Sequence, residues 1–195
     1  MTLTAAAPGD TASTIVTTPA AGSTGVVHRS IDVLRIGIGL VFLWAFVDKL
    51  FGFSYSTGPA RSWLSGGSPT EGFLGHVQVG PGQSAFRAIA GQPWVDWLFM
   101  LALLGVGLAM VLGVALRPAA LAGSLLMVLM WAAEWPLARF DSAGAATGSP
   151  NPLIDYHLIY ALALWAVAAL GVGSAMGLSR RWNRLPMVRR FAWLR

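Results

Sequence analysis

The sequence predicts an all-α integral membrane protein built as a bundle of four transmembrane helices. Three observations carry that reading. The chain of 195 residues is 55% hydrophobic, with a mean hydropathy of +0.63. Only 11% of its residues are charged, against about 25% in a typical soluble domain, so one globular core cannot hide the apolar surface. Four stretches, 31–53, 93–116, 118–137 and 152–174, reach the roughly 20 apolar residues that cross a hydrocarbon layer about 30 Å thick.

Taken in order, residues 1–27 are rich in Ala, Thr, Ser, Gly and Pro without apolar periodicity. They cannot bury enough surface to offset their ordering entropy and read as disordered. They also lack the basic start and continuous apolar run of a signal peptide, so the first helix serves as an uncleaved insertion signal. Pro93, Pro118 and Pro152 stand near helix starts, where a missing N–H costs little. A tight turn at Arg117-Pro118 joins the second and third helices as an antiparallel hairpin. Gly105, Ala109 and Gly113, and again Ala169, Gly173 and Gly177, recur every fourth residue, a spacing that lets helix backbones approach.

Charge sets the expected orientation. Arg29, Arg35, Arg117 and six arginines after residue 176 (Arg180, Arg181, Arg184, Arg189, Arg190, Arg195) fall on one side; Lys49, Arg61, Arg87 and Arg139 fall on the other. Nine against four places both termini in the cytoplasm, in a bacterial inner membrane. The tail 176–195 mixes Arg with Trp, Phe and Leu and reads as an interfacial segment drawn to anionic headgroups rather than as a nucleic-acid binder.

The connection 54–92 then lies outside. It holds too many apolar residues for a solvated linker, and loops of this length are usually functional or disordered. It reads as an extracytoplasmic cap with short helices near 60–65 and 84–90. GGSPTEGFLG within it lacks the Gly-Lys-Ser/Thr ending of a phosphate-binding loop.

Two sequence echoes suggest paired hairpins related by a pseudo-twofold axis. WAFVDKLF (44–51) and MWAAEWPL (130–137) end the ascending helices; QPWVDWLF (92–99) and NPLIDYHL (151–158) begin the descending ones. The echoes bring Asp48, Asp96, Glu134 and Asp155 to one end of the bundle, and acids within a span usually face the interior or a wet cavity. Asp96 and Asp155, in the first turn of their helices, gain from the macrodipole, whereas Asp48 and Glu134, at C-terminal ends, do not. Asn151 reads as an N-cap with Pro152 at the first helical position. Asp155 and His157, about 200° apart on a helix, are not expected to share a face. For His157 three roles stay open: an interfacial hydrogen bond, proton transfer and metal ligation; no metal site is assigned. Haem needs a second facing His and is not expected, and the absence of Cys excludes iron–sulfur clusters, thiol relays and thiolate zinc sites. Trp44 and Trp131 are candidates to stack on a flat ligand ring.

RIGIGLVFLWAFVDKLFG, GGSPTEGFL, DWLFMLALLGVGLAMVLGVALRPAA and NPLIDYHLIYALAL together resemble the DoxX family, in particular its DoxD-like large subunits of thiosulfate:quinone oxidoreductase, over residues 28–175. The resemblance implies a membrane oxidoreductase subunit that passes electrons from a small outer-face sulfur anion to the quinone pool, menaquinone or ubiquinone, without flavin and alongside other redox subunits. On that reading Trp44, Trp131, Asp96 and Asp155 line a quinone site, and Glu134, Asp48 or His157 deliver protons. Lys49, Arg61, Arg87 and Arg139 are the cations for a thiosulfate dianion. A non-catalytic scaffold of a respiratory or redox-stress complex and a small-solute carrier remain the alternatives.

Overall fold

The computed structural model describes residues 21–171 and 176–194. Most of the expected disordered head, the end of the fourth expected span and Arg195 lie outside the described residues.

The long helix α1 (Ala21–Phe51) begins ahead of the expected span, taking in residues 21–27 that composition assigns to the disordered head. At 1.5 Å per residue its 31 residues run about 46 Å, more than a bilayer core requires. The connection that follows carries two 3-10 turns (Pro59–Arg61 and Trp63–Ser65) and two short helices, α2 (Glu71–Leu74) and α3 (Gln83–Ile89). Next come α4 (Pro93–Leu112) and α5 (Leu116–Glu134), then α6 (Tyr156–Leu170). The tail forms α7 (Ser179–Trp182), α8 (Pro186–Arg190) and a last 3-10 turn. No strand forms among the described residues, only one isolated bridge between Phe140 and Ala146.

Among the described residues three helices, α1, α4 and α5, are long and apolar enough to cross a membrane. The fourth apolar helix, α6, has 15 residues; at about 22 Å it is shorter than the hydrocarbon core, because its helix starts four residues later than Pro152. Exposed Leu40, Leu101, Leu108, Leu125, Leu129 and Leu162 give the helices the outward apolar faces that lipid requires.

The helices form two antiparallel pairs, α1 with α4 and α5 with α6, closed by α4–α5 and α1–α6 contacts. Ile38 and Phe42 meet Met100, Leu103, Val106 and Met110 in the core, with Met127, Leu164 and Val167 from the other pair. Close approach of α1 and α4 depends on Gly39 and Gly107. A Cβ on Gly39 would lie 2.8 Å from the Val111 backbone nitrogen, and one on Gly107 would lie 2.7 Å from Leu43. The stripe expected on α4 is therefore half right: Ala109 is buried, but Gly105 faces open space.

At the end of the bundle where α1 starts and α4 stops, Arg35 is fully buried. Its Nη1 donates to the carbonyls of Met110 and of Val111 (2.9 Å), and its Nη2 to the Met176 carbonyl (3.1 Å) and Asp32 Oδ1 (3.4 Å). The last carbonyls of a helix have no partner of their own and sit at the negative pole of its dipole. One guanidinium thus closes α4 and ties the tail to the bundle. Positive-inside counting treats Arg35 as a surface charge; the fold uses it as an internal clamp. The tail continues this packing: Leu178 N–H donates to the Leu112 carbonyl (2.8 Å), Arg117 to the Ala192 carbonyl (3.2 Å), and Val188 is fully buried.

Replacing Arg35 by Met should remove the cation beside the buried Asp32 carboxylate and the donor that serves three carbonyls, with a loss of about 3–5 kcal/mol. Chaotrope unfolding in mild detergent would measure it, and Arg35→Lys should recover little, because an ammonium cannot reproduce the guanidinium fork.

Candidate functional site

The antiparallel order of the helices places Asp48, Asp96, Glu134 and Asp155 at the opposite end from Arg35, as the echoes predict. They do not form one ring. No hydrogen bond or ion pair among the described residues joins Asp48 or Asp96 to the Glu134–Asp155 pair.

Asp48, buried near the end of α1, accepts from the backbone N–H groups of Tyr55 (3.4 Å), Ser56 (2.9 Å) and Thr57 (3.0 Å) and from the Ser56 hydroxyl (2.7 Å). The chain leaving α1 turns back over its own helix, and the carboxylate supplies acceptors for its free amides. Asp96, also buried, does the same across the connection. Its Oδ1 accepts from Ser68 Oγ (2.8 Å), Thr70 Oγ1 (2.6 Å) and Thr70 N–H (3.1 Å). With Trp63 edge-on to Trp97 at 4.7 Å, and Gly80 so close to Trp135 that a Cβ there would lie 2.8 Å from the ring, these bonds hold the connection across this end of the bundle. Both acids read as structural anchors.

The second pair is different. After the 135–150 loop, Asn151 Oδ1 accepts from the N–H groups of Leu153 (2.9 Å) and Ile154 (3.1 Å). That Asx turn delays the helix, so Asp155 rather than Asn151 is its N-cap, with extended backbone (φ −106, ψ −174). Asp155 Oδ1 accepts from the N–H groups of His157 (3.1 Å) and Leu158 (3.3 Å). Its Oδ2 lies 2.8 Å from His157 Nδ1. The expectation that these two residues occupy different faces is thus corrected: helical-wheel spacing does not apply across a cap.

His157 is fully buried, and its Nε2 has no hydrogen-bond partner among the described residues. That nitrogen faces Glu134 Oε1 at 4.0 Å. Glu134 is the exposed member of the group, and Tyr156 donates its hydroxyl to the same Oε1 (2.9 Å). Trp131, one turn before Glu134, also keeps a buried indole N–H without a partner. With Asp155 acting as acceptor, Nδ1 carries a proton, and Nε2 is left free to take or give one.

Ligand atoms of Glu134, Asp155 and His157 lie within 4.8 Å of one another, close enough to share a cation. Both Asp155 oxygens are already engaged by donors, so the group offers two free protein ligands where a catalytic zinc usually has three. The geometry suits a shared proton better than a resident metal.

The other expected site residues scatter. Trp44 is half exposed and packs on Phe53 and Tyr55 at 6.1 and 5.1 Å; no ring contact among the described residues joins it to Trp131, which packs on Trp135 at 5.7 Å. Lys49 lies 5.9 Å from the Phe99 ring and Arg139 5.8 Å from that of Phe140. Arg61 and Arg87 are exposed on separate short helices. Sequence reasoning missed Tyr156 as a hydrogen-bond donor. It also missed a cleft of about 430 Å³ between the connection and the start of α4, lined by residues that include Trp63, Glu71, Asp96 and Trp97. No family model, curated protein or solved structure matches the chain.

Asp48→Asn should weaken charge-assisted bonds to three amides, at a cost of about 2 kcal/mol. Hydrogen exchange at Tyr55, Ser56 and Thr57 should accelerate while the helices keep their protection.

Proposed function

We infer that the protein is a membrane oxidoreductase subunit that reduces quinone, with His157 as the proton-transfer group. One observation carries the reading: a fully buried imidazole whose Nδ1 is held by Asp155 while its Nε2 stays unpartnered opposite Glu134. Converting a quinone to a quinol takes two electrons and two protons. A buried polar atom without a partner costs on the order of 1–3 kcal/mol, and such a nitrogen fits a site that completes its bonding with substrate. The Trp131 indole N–H, likewise unsatisfied, is a second donor for a quinone carbonyl. The resemblance to DoxX proteins points to the same chemistry.

The electron donor has weaker support. A thiosulfate dianion needs a cationic seat, yet the cleft at this end is lined by Glu71 and Asp96 and by no Lys or Arg. Lys49, Arg61, Arg87 and Arg139 then serve at most as separate contacts for such an anion. The anchoring roles of Asp48 and Asp96 favour the second reading, a scaffold for a separate redox enzyme.

Purified full-length protein in detergent should reduce a soluble quinone analogue with thiosulfate as donor. Glu134→Gln and His157→Asn should each lower the rate roughly a hundredfold or more without changing the thermal midpoint much. A folded wild-type protein with no turnover would leave the scaffold reading.

We infer also that the Arg35 end faces the cytoplasm. Among the described residues the only acid at that end is Asp32, buried beside Arg35. Exposed Arg180, Arg181, Arg184, Arg189 and Arg190 alternate there with exposed Leu185, Met187, Phe191 and Trp193, a pattern suited to anionic headgroups. The chain has no Cys, so Ser84→Cys and Arg184→Cys give clean reporters. In intact cells an impermeant maleimide should label the first and spare the second; the reverse pattern would invert the topology.

A further inference from the structure

We propose that the cleft between the connection and the start of α4 binds a small protonated amine. This goes beyond the quinone reading and does not depend on it, since the residues involved are separate from Glu134, Asp155 and His157.

The cleft holds about 430 Å³, within the range of small-molecule sites. Its recognition groups are two carboxylates and two indoles: Asp96, Glu71, Trp63 and Trp97. Asp96 is only 6% exposed, and all three of its hydrogen bonds fall on Oδ1. No donor among the described residues reaches Oδ2. A nearly buried carboxylate with one oxygen unanswered at the wall of a cleft calls for a donor from outside. Glu71 stands on the one-turn helix α2 with an exposed side chain that makes no hydrogen bond or ion pair among the described residues. It adds a second negative charge, and no cation among the lining residues offsets the two.

The indoles narrow the ligand class. Trp63 and Trp97 meet edge to face at 4.7 Å, with planes 74° apart, so they form a corner rather than a stacked slab. An ammonium group is attracted to an indole face, and the apolar stem of an alkyl or aryl amine can lie along the rings. An N–H of the ammonium then satisfies Asp96 Oδ2. Gly66, Gly67 and Gly91 also line the cleft. A neutral alcohol supplies a donor without charge, and an anion meets two like charges at once. The occupant is therefore a cation with at least one N–H.

The test is calorimetric titration of the full chain in a nonionic detergent with benzylamine and 1,5-diaminopentane. Benzyl alcohol and thiosulfate serve as the neutral and anionic counterparts. Saturable binding of the amines at one site per chain is expected, with little or none of the other two. Glu71→Gln, at a side chain the fold does not use, should weaken amine binding roughly tenfold, and Trp97→Leu should do so by a similar factor. Equal affinity for benzyl alcohol, tighter binding of thiosulfate, no saturable amine binding, or amine affinity unchanged in both variants would each overturn the assignment. Unchanged thermal midpoints verify that the variants remain folded.

Discussion

Hydrocarbon offers a polypeptide no hydrogen-bond partners, and the architecture of this chain follows from that one constraint. Within the spans the helices satisfy themselves. The difficulty arises where each helix stops and its terminal N–H or C=O groups lose their partners. The chain answers it with single charged side chains. Arg35 takes the carbonyls at the end of α4, Asp48 takes the amides that leave α1, and Asp155 takes the first amides of α6. Asp96 extends the same device to the Thr70 amide of the connection. Charge is a strong partner here because the low local dielectric that makes an orphan costly also strengthens each bond.

The two hairpins show how such a device is freed for chemistry. QPWVDWLF and NPLIDYHL share a grammar, but α4 is helical from Pro93 while α6 begins only at Tyr156. In the first hairpin the acid sits inside the helix and gives one oxygen, Oδ1, to the connection. In the second, Asn151 captures the amides after Pro152, and the acid becomes a cap whose second oxygen holds the His157 ring. Leu98 and Trp97 occupy the positions that His157 and Tyr156 hold in the echo. Only one of the two copies therefore carries a titratable pair.

Composition and the length of the apolar runs made the membrane class, the helix positions and the common end of the four acids legible. These properties rest on hydrophobic burial, which sums over many residues and tolerates errors at any one. What was not legible depends on individual backbone angles and partners. Asp155 meets His157 only because residue 155 is extended; the helical wheel assigns them to opposite faces. Asp48 looked unexplained at a helix C-terminus because its partners lie in the following turn, where nothing in the apolar pattern marks them. Arg35 looked like a flanking charge because counting by side does not register that α4 ends beside it. The Trp63–Trp97 cleft brings together residues from either side of the connection, and only the folded chain shows it.

On the proposed reading, the geometry of the second hairpin also gives proton transfer a direction. Both oxygens of Asp155 are engaged, one with two amides and one with Nδ1, so it fixes the imidazole without serving as a stop on the path. Its role parallels that of a carboxylate that orients a catalytic histidine and balances the charge formed on it. Tyr156 donates to Glu134 and so orients that side chain. Of the three groups Glu134, Asp155 and His157, only Glu134 is exposed, and His157 Nε2 is buried with no hydrogen-bond partner among the described residues. The 4.0 Å between them exceeds a hydrogen bond, so a proton crosses only when the glutamate side chain swings inward or a water bridges the gap. The exposed acid thus acts as the entry, and the imidazole meets the substrate from the dry side.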